Sequence, residues 1–437
     1  GALRSVTVPV AIEDVQAQIP PGAALVEMVE YDVYDPAPPP GESAWGPKQL
    51  AAFVLPSQGE PRWVPLGETA AISESVGAFR AALVKRTLPL MKLRARGQDL
   101  YERLITPLES HLKGVGTLLL APDGVLNLVS FGALIDSEGK YLVERYELTY
   151  LTSGRDLLRT RPTGASSSPA LVIAAPEYDR AVPDMTLASS PDTRRSRQLG
   201  SLQWGALPGT KLEGLSVAKT LGVSALTGAG ATETAIRTTE APRVLHIATH
   251  GFFLADQEIE TPETRAMGGG LSAEGNGSIF GRPLSTENPL LRSGLVLAGA
   301  NVAPVGSDDG ILTALEMAGL DLWGTRLVVL SACETAVGQV AVGEGVYGMR
   351  RALVIAGAAA QLASLWKVSD YATKELMTAY YERLLAGEGR SEALRNVQLA
   401  MLANPARSRP YYWASFIPIG DRGPVDLGVE QTNPKAE

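Results

Sequence analysis

The spacing of apolar residues changes character several times along the chain. Val29, Tyr31 and Val33 alternate with Glu30 and Asp32, the two-residue rhythm of a half-buried strand. "DPAPPPGES" breaks that rhythm, and "KQLAAFVLPSQGEPRWVPLG" predicts a hairpin with Trp63 and Val64 on its return arm. Over residues 70–111 the period lengthens, and Leu100, Leu104 and Leu108 at four-residue spacing predict helix. Strand-like runs return in "TLLLAPDGVLNLVSFGAL", cut by Pro122, Asp123 and Gly124. The polar, proline-bounded "RPTGASSSP", residues 161–169, reads as a linker between two units, 1–165 and 166–437.

Beyond the linker the order becomes regular. "ALVIAAP", "RVLHIATHG", "RLVVLSACE" and "AQLASLW" are apolar runs of strand length. "KLEGLSVAKTL", "GVYGMRRALVIAGA", "DYATKELMTAYYERLLAG" and "SEALRNVQLAMLA" carry helical spacing, and the first predicts an amphipathic helix. Asp370 stands where it caps one of these helices, and Gly387 where it stops the same one. "YYWASFIPIGD" predicts a closing strand. Strands alternating with helices predict an α/β fold, with a mostly parallel sheet covered on both faces. "SSPDTRRSRQLGS" and "MGGGLSAEGNGS" read as exposed loops.

Composition narrows the function classes. A net charge of −8 and a pI of about 5.2 argue against nucleic-acid or anionic-membrane partners. The longest uncharged runs, residues 352–366 among them, are shorter than a bilayer span, and this one holds Gln361, so no transmembrane helix is expected. One cysteine in 437 residues rules out an internal disulfide framework and points to a reducing compartment, the cytoplasm. The chain opens with neither an initiator methionine nor a signal-peptide pattern, as expected of an excised fragment.

That cysteine, Cys333, stands where "LVVLSACETA" turns from apolar to polar. This is the carboxyl end of a predicted strand, the edge of an open α/β sheet at which ligands bind. A free cysteine is more often a small buried hydrophobe and becomes a nucleophile beside a base. Of three histidines, His111 ends a helix and reads as solvated, while His246 lies mid-strand and reads as a core residue. His250 stands directly before Gly251, where the apolar run ends. Parallel strands open on the same edge, so His250 and Cys333 converge there. Glycine lets its amide approach a substrate closely, which makes the Gly251 and Cys333 N–H groups the candidate oxyanion donors.

Two other chemistries fit poorly. Ile247 follows His246 where a zinc protease has glutamate, and strand residues at i and i+4 are roughly 13 Å apart. "GEGVYG" matches a dinucleotide fingerprint in its glycines but lies about ten residues beyond its strand. Neither a metal nor a nucleotide cofactor is expected.

"HIATHGFF", "SGLVLAGAN", "LVVLSACETAVG", "GEGVYGMRRALVIAGA", "ASLWKVSD" and "YYWASFIPIGD", in that order, resemble the CHAT family of caspase-like cysteine proteases. Upstream, "PPGAALVEMVEYDVYD" and "LLLAPDGVLNLVSFGALID" are similar to the N-terminal half of such domains, a degenerate second protease fold. The resemblance implies a caspase–haemoglobinase-like three-layer α/β/α sandwich. In it a smaller half, 1–165, precedes a catalytic domain, 166–437, whose dyad is His250 and Cys333. It also implies a cysteine endopeptidase acting on a specific protein substrate in bacterial defence or regulated cell death, such as a gasdermin-like or CRISPR-associated protein. A sensor or tetratricopeptide-repeat region outside this chain would regulate it. The alternatives are an inactive pseudoprotease serving as an interaction platform and a small-molecule hydrolase on the same sheet.

In this clan the loop after "SLW" lines the pocket for the residue before the cut, which makes Trp366, Lys367 and Asp370 the candidate substrate contacts. The family commonly has proline where Lys367 stands. Basic or apolar residues are expected before the cut. Aspartate is not, because a lone lysine lacks the bidentate geometry that selects a carboxylate.

Overall fold

The computed structural model describes residues 9–39, 43–159, 166, 168–180, 199, 202–254, 288–302, 308–335, 344–366 and 370–429. In chain order the strands are β1 (Ala23–Tyr31), β2 (Gln49–Pro56), β3 (Arg62–Glu68), β4 (Thr117–Ala121), β5 (Glu147–Tyr150), β6 (Leu171–Pro176), β7 (Ala225–Gly228), β8 (Val244–Phe253), β9 (Ser293–Val296), β10 (Ile311–Thr313), β11 (Leu327–Thr335), β12 (Ala360–Ser364) and β13 (Phe416–Gly420). The helices are α1 (Ile12–Gln16), α2 (Thr69–Val84), α3 (Leu90–Leu104), α4 (Leu142–Arg145), α5 (Pro208–Thr220), α6 (Glu233–Arg237), α7 (Ala314–Ala318), α8 (Glu344–Ala356), α9 (Asp370–Leu385), α10 (Arg390–Ala403) and α11 (Pro410–Trp413). The stretches read as exposed loops lie almost wholly outside the described residues, as does most of the predicted linker.

All of these strands join one sheet. Its main path runs β10-β9-β8-β11-β12-β13-β5-β4-β1-β2-β3, with β6 and β7 attached beside β8. The centre is parallel: β8 with β11, β11 with β12, β6 with β7 and β8, β13 with β5, and β4 with β5 and β1. Antiparallel pairs complete it where β9 joins β8 and β10, at β12–β13, at β1–β2 and in the predicted hairpin β2–β3. The sheet is continuous across residue 165, because β13 pairs with β5 at Ile419 and Tyr150.

Strand β8 is the pivot. Residues 245–248 pair with β6, residues 250–253 pair with antiparallel β9, and β11 accompanies the strand along the other side. Alternation gives each strand two apolar faces, as a doubly covered sheet requires. Val244, Leu327 and Val329 share a core with Val217 of α5, Leu376 of α9 and Leu394 of α10. Leu245, Ile247, Val328 and Leu330 share another with Ile236 of α6, Met317 of α7 and Leu353 of α8. The result is the expected three-layer α/β/α arrangement. In the N-terminal half, Val26, Met28, Leu118 and Leu120 pack with α2 and α3, while Leu25 and Leu119 lie with Val15 of the short α1.

Three local expectations change. The first strand begins six residues earlier than Val29, at Ala23, and Val33 lies beyond it. After β4 the run "GVLNLVSFGAL" forms 3-10 turns, Gly124–Leu128 and Phe131–Ala133, instead of a strand. Asp123 caps the first through the Gly124 N–H, and the Tyr150 hydroxyl accepts from the Phe131 N–H and donates to the Val129 carbonyl. Finally, Pro410 starts the helical turn α11, so the closing strand is only Phe416–Gly420.

Candidate active site

The register of β11 on β8 sets Cys333 directly opposite His250. Adjacent strands lie about 4.8 Å apart, so the two backbone positions stand side by side on one face of the sheet. Their convergence was expected, but at strand ends, and that detail is corrected. Strand β8 continues through Gly251 to Phe253, and β11 reaches Thr335. The cause is β9, which pairs His250 with Val296 and Gly251 with Leu295. Gly251 therefore lies inside the sheet, between Leu295 and Glu334, and not beyond its edge.

His250 is buried, and its Nε2 lies 2.8 Å from the Gly205 carbonyl oxygen. A carbonyl only accepts, so Nε2 carries the proton and, in the neutral ring, Nδ1 holds the lone pair. Tyr178 and Trp204 bracket the imidazole, with ring centroids 5.3 and 5.5 Å away. The Tyr178 hydroxyl lies 3.0 Å from Thr249 Oγ1, which in turn donates to the Val296 carbonyl. Sequence reasoning missed Tyr178, Trp204 and Gly205. They sit in irregular segments, and the available signal was an aromatic residue before glycine in "SLQWGALPG".

His246, four residues earlier on the same face, is fully buried. Its Nδ1 is 3.1 Å from the Tyr381 hydroxyl of α9, and its Nε2 is 3.3 Å from Glu213 Oε1 of α5. It is a core residue, as expected, and His111 is an exposed one. Among the described residues no group of three or more His, Cys, Asp or Glu converges to hold a metal, and no helix is long and apolar enough to cross a membrane.

The substrate-contact candidates are placed differently. Trp366 is 4% exposed and belongs to the core, with its indole N–H donating to the Tyr411 carbonyl at 3.2 Å. That corrects its expected place on an open pocket wall. Asp370 is the first residue of α9, and Lys367 lies outside the described residues.

Comparison with known proteins places this geometry in a family. The CHAT domain family model matches residues 94–421. Tetratricopeptide repeat protein 28 of Mus musculus is 32% identical over 345 residues, and its Homo sapiens counterpart 31% over 341. Each alignment covers 74% of this chain but 13% of the relative, so the chain spans a small part of those proteins. Among solved structures, the Arg-specific cysteine proteinase gingipain R is similar at TM-score 0.36 and 10% identity, covering 82% of this chain and 75% of that one. The separase–securin complex of Saccharomyces cerevisiae gives TM-score 0.42 and 9% identity, over 93% of this chain and 30% of that one. Matched from within α3 to just past β13, across both halves of the sheet, the chain belongs to the CHAT-domain family.

Proposed function

We propose that the chain is a cysteine endopeptidase in which His250 and Cys333 form the catalytic dyad. The observation that carries this reading is the pairing of the two positions across β8 and β11, beside an imidazole whose Nε2–H is taken by the Gly205 carbonyl. That hydrogen bond leaves Nδ1 as the ring's basic nitrogen.

The steps balance without a cofactor. The thiol proton passes to Nδ1, and sulfur attacks the scissile carbonyl carbon as its π electrons move to oxygen. The Cys333 N–H is the remaining candidate donor to that oxyanion, because Gly251 lies inside the sheet between β9 and β11. Collapse expels the amine, which takes the proton from Nδ1, and leaves a thioester. Water then gives a proton to Nδ1 and attacks the thioester carbonyl. The thiolate departs and recovers that proton as the acid is released.

The substrate is a protein, and the named relatives, repeat proteins far longer than this chain, support regulation by a tetratricopeptide-repeat region. With Trp366 in the core, Lys367 and Asp370 are the remaining candidates for the pocket, and cutting after basic or apolar residues is expected. The test is cleavage of a peptide library by wild type, Cys333→Ala and His250→Ala, each checked for an unchanged melting profile. Each variant should lose roughly 10⁴-fold in rate, as removal of one member of a catalytic unit does. A Cys333→Ala protein that still cuts would end the peptidase reading.

A further inference from the structure

We propose that Asn301 is a positioning residue for His250: its side-chain amide fixes the backbone beside Gly205, and so aims the carbonyl that receives the Nε2–H. This rests on the reading of His250 as the base, and the experiment below separates the two.

The Gly205 carbonyl needs outside support. Residues 202–207 form no regular structure, Gly205 is exposed, and a Cβ built on it would meet nothing within 4 Å. A glycine so placed has no side chain to restrict its ψ, so its carbonyl is only as well aimed as its neighbours are held. Asn301 holds the neighbour. Its Oδ1 accepts from the Trp204 N–H at 2.9 Å, and its Nδ2 donates to the Trp204 carbonyl at 3.1 Å. The planar amide thus offers one acceptor and one donor to the two backbone groups of a single residue, as a neighbouring strand would.

The second Nδ2 hydrogen and the Asn301 backbone bind the other wall of the site. Nδ2 donates to Asp179 Oδ1 at 2.8 Å, and the Asn301 N–H donates to the Tyr178 carbonyl at 3.0 Å. One residue therefore joins the two irregular segments that supply both bracketing rings and the accepting carbonyl. Aspartate, isosteric with asparagine, keeps the acceptor but loses both donors and sets a carboxylate against Asp179.

The single cysteine makes the test clean, because iodoacetamide reports on Cys333 alone. Alkylation rate against pH and the ¹⁵N shifts of the His250 ring, assigned with His250→Gln, are measured in wild type, Asn301→Ala, Asn301→Asp and Asn301→Asp/Asp179→Asn. In folded Asn301→Ala the Nε2–H tautomer should give way to a mixture. The alkylation profile should move towards that of His250→Ala, and kcat should fall about 10- to 100-fold with KM little changed. Asn301→Asp should behave similarly, and Asp179→Asn in that background should recover part of the loss by removing the facing charge. Unchanged ring shifts in a folded Asn301→Ala protein would overturn the proposal. So would loss of the fold in both single variants, which would make Asn301 a general staple. If wild type and His250→Ala share one alkylation profile, the dyad reading fails, while the ring shifts still decide the role of Asn301.

Discussion

His246 and His250 lie on the same face of β8, one turn of the pleat apart from being neighbours, yet their surroundings divide their roles. His250 meets a backbone carbonyl and two rings. His246 meets Glu213 and Tyr381, both from helices packed on the sheet. Burial, Tyr380 and Glu213 push the Tyr381 hydroxyl well above its ordinary pKa. The ring faces that hydroxyl with Nδ1 and Glu213 with Nε2, so a ring that accepts from Tyr381 carries its proton on the Glu213 side. His246→Ala would leave the buried Glu213 and Tyr381 groups without the ring they face, at a cost of about 1–3 kcal/mol. Denaturant titration should show the loss, with activity per folded molecule preserved. Gly205 makes the opposite case, because what matters there is its carbonyl. Its φ is not left-handed and the space about it is open, so Gly205→Ala should melt within about 0.5 kcal/mol of wild type. Its peptide cleavage rate should stay within about twofold, an equivalent difference.

At the scale of an element, α5 buries an unexpected face. The amphipathic pattern of "KLEGLSVAKTL" draws the eye to its leucines, but Leu212 and Leu215 are 46% and 49% exposed. Gly209, Thr210, Glu213, Gly214 and Val217 face inward. Smallness decides the matter: a Cβ on Gly214 would stand 2.3 Å from the Ala174 Cβ of β6, so the helix lies closer to the sheet than any side chain allows. Glu213 occupies the same face because it reaches His246. Gly214→Ala should therefore destabilise by about 1–3 kcal/mol through overpacking. Adding Ala174→Gly should restore part of the loss, and a double-mutant cycle from denaturation midpoints measures the coupling. Additive effects would show that the helix simply shifts outward.

At the scale of the whole molecule, stability should carry a pH signature from Glu233. This carboxyl is fully buried beside Asp309, and burial first, then the Asp309 charge, push its pKa up to about 9. Arg237 at 2.5 Å and the Gly310 N–H at 2.7 Å favour the ionised form without reversing that. The folded state thus keeps a proton that the unfolded chain releases near pH 4.5. Folding holds more protons than unfolding between those values, so this group's contribution to stability is full below about 4.5 and lost as pH rises towards about 9. Glu233→Gln should flatten the melting temperature between pH 5 and 8.5 (roughly the span of that titration) and raise it at the alkaline end. A parallel fall in both proteins would place the titration elsewhere. Long-range bonds also knit the two halves. Arg350 of α8 donates to the Asn127 carbonyl at 2.9 Å, and Ser130 Oγ donates to the Ala414 carbonyl at 2.6 Å.

What the amino-acid order determined by itself is what local periodicity and chain chemistry encode. The apolar runs of β6, β8, β11 and β12, the helices between them and the single cysteine were all legible, because burial on both faces demands continuous apolar strands. So was the core character of His246. The tertiary structure decided the rest. Where β8 stops depends on β9, some forty residues later in the chain. Which face of α5 is buried depends on Ala174, and Trp366 packs into the core where the Tyr411 carbonyl receives its indole N–H. The surroundings of His250, Gly205 and Trp204 on one side and Tyr178 on the other, come from segments without periodicity, brought together by Asn301. Periodicity reports which side of an element is apolar. It carries no information about hydrogen bonds between distant irregular segments, and these are the bonds that orient the imidazole.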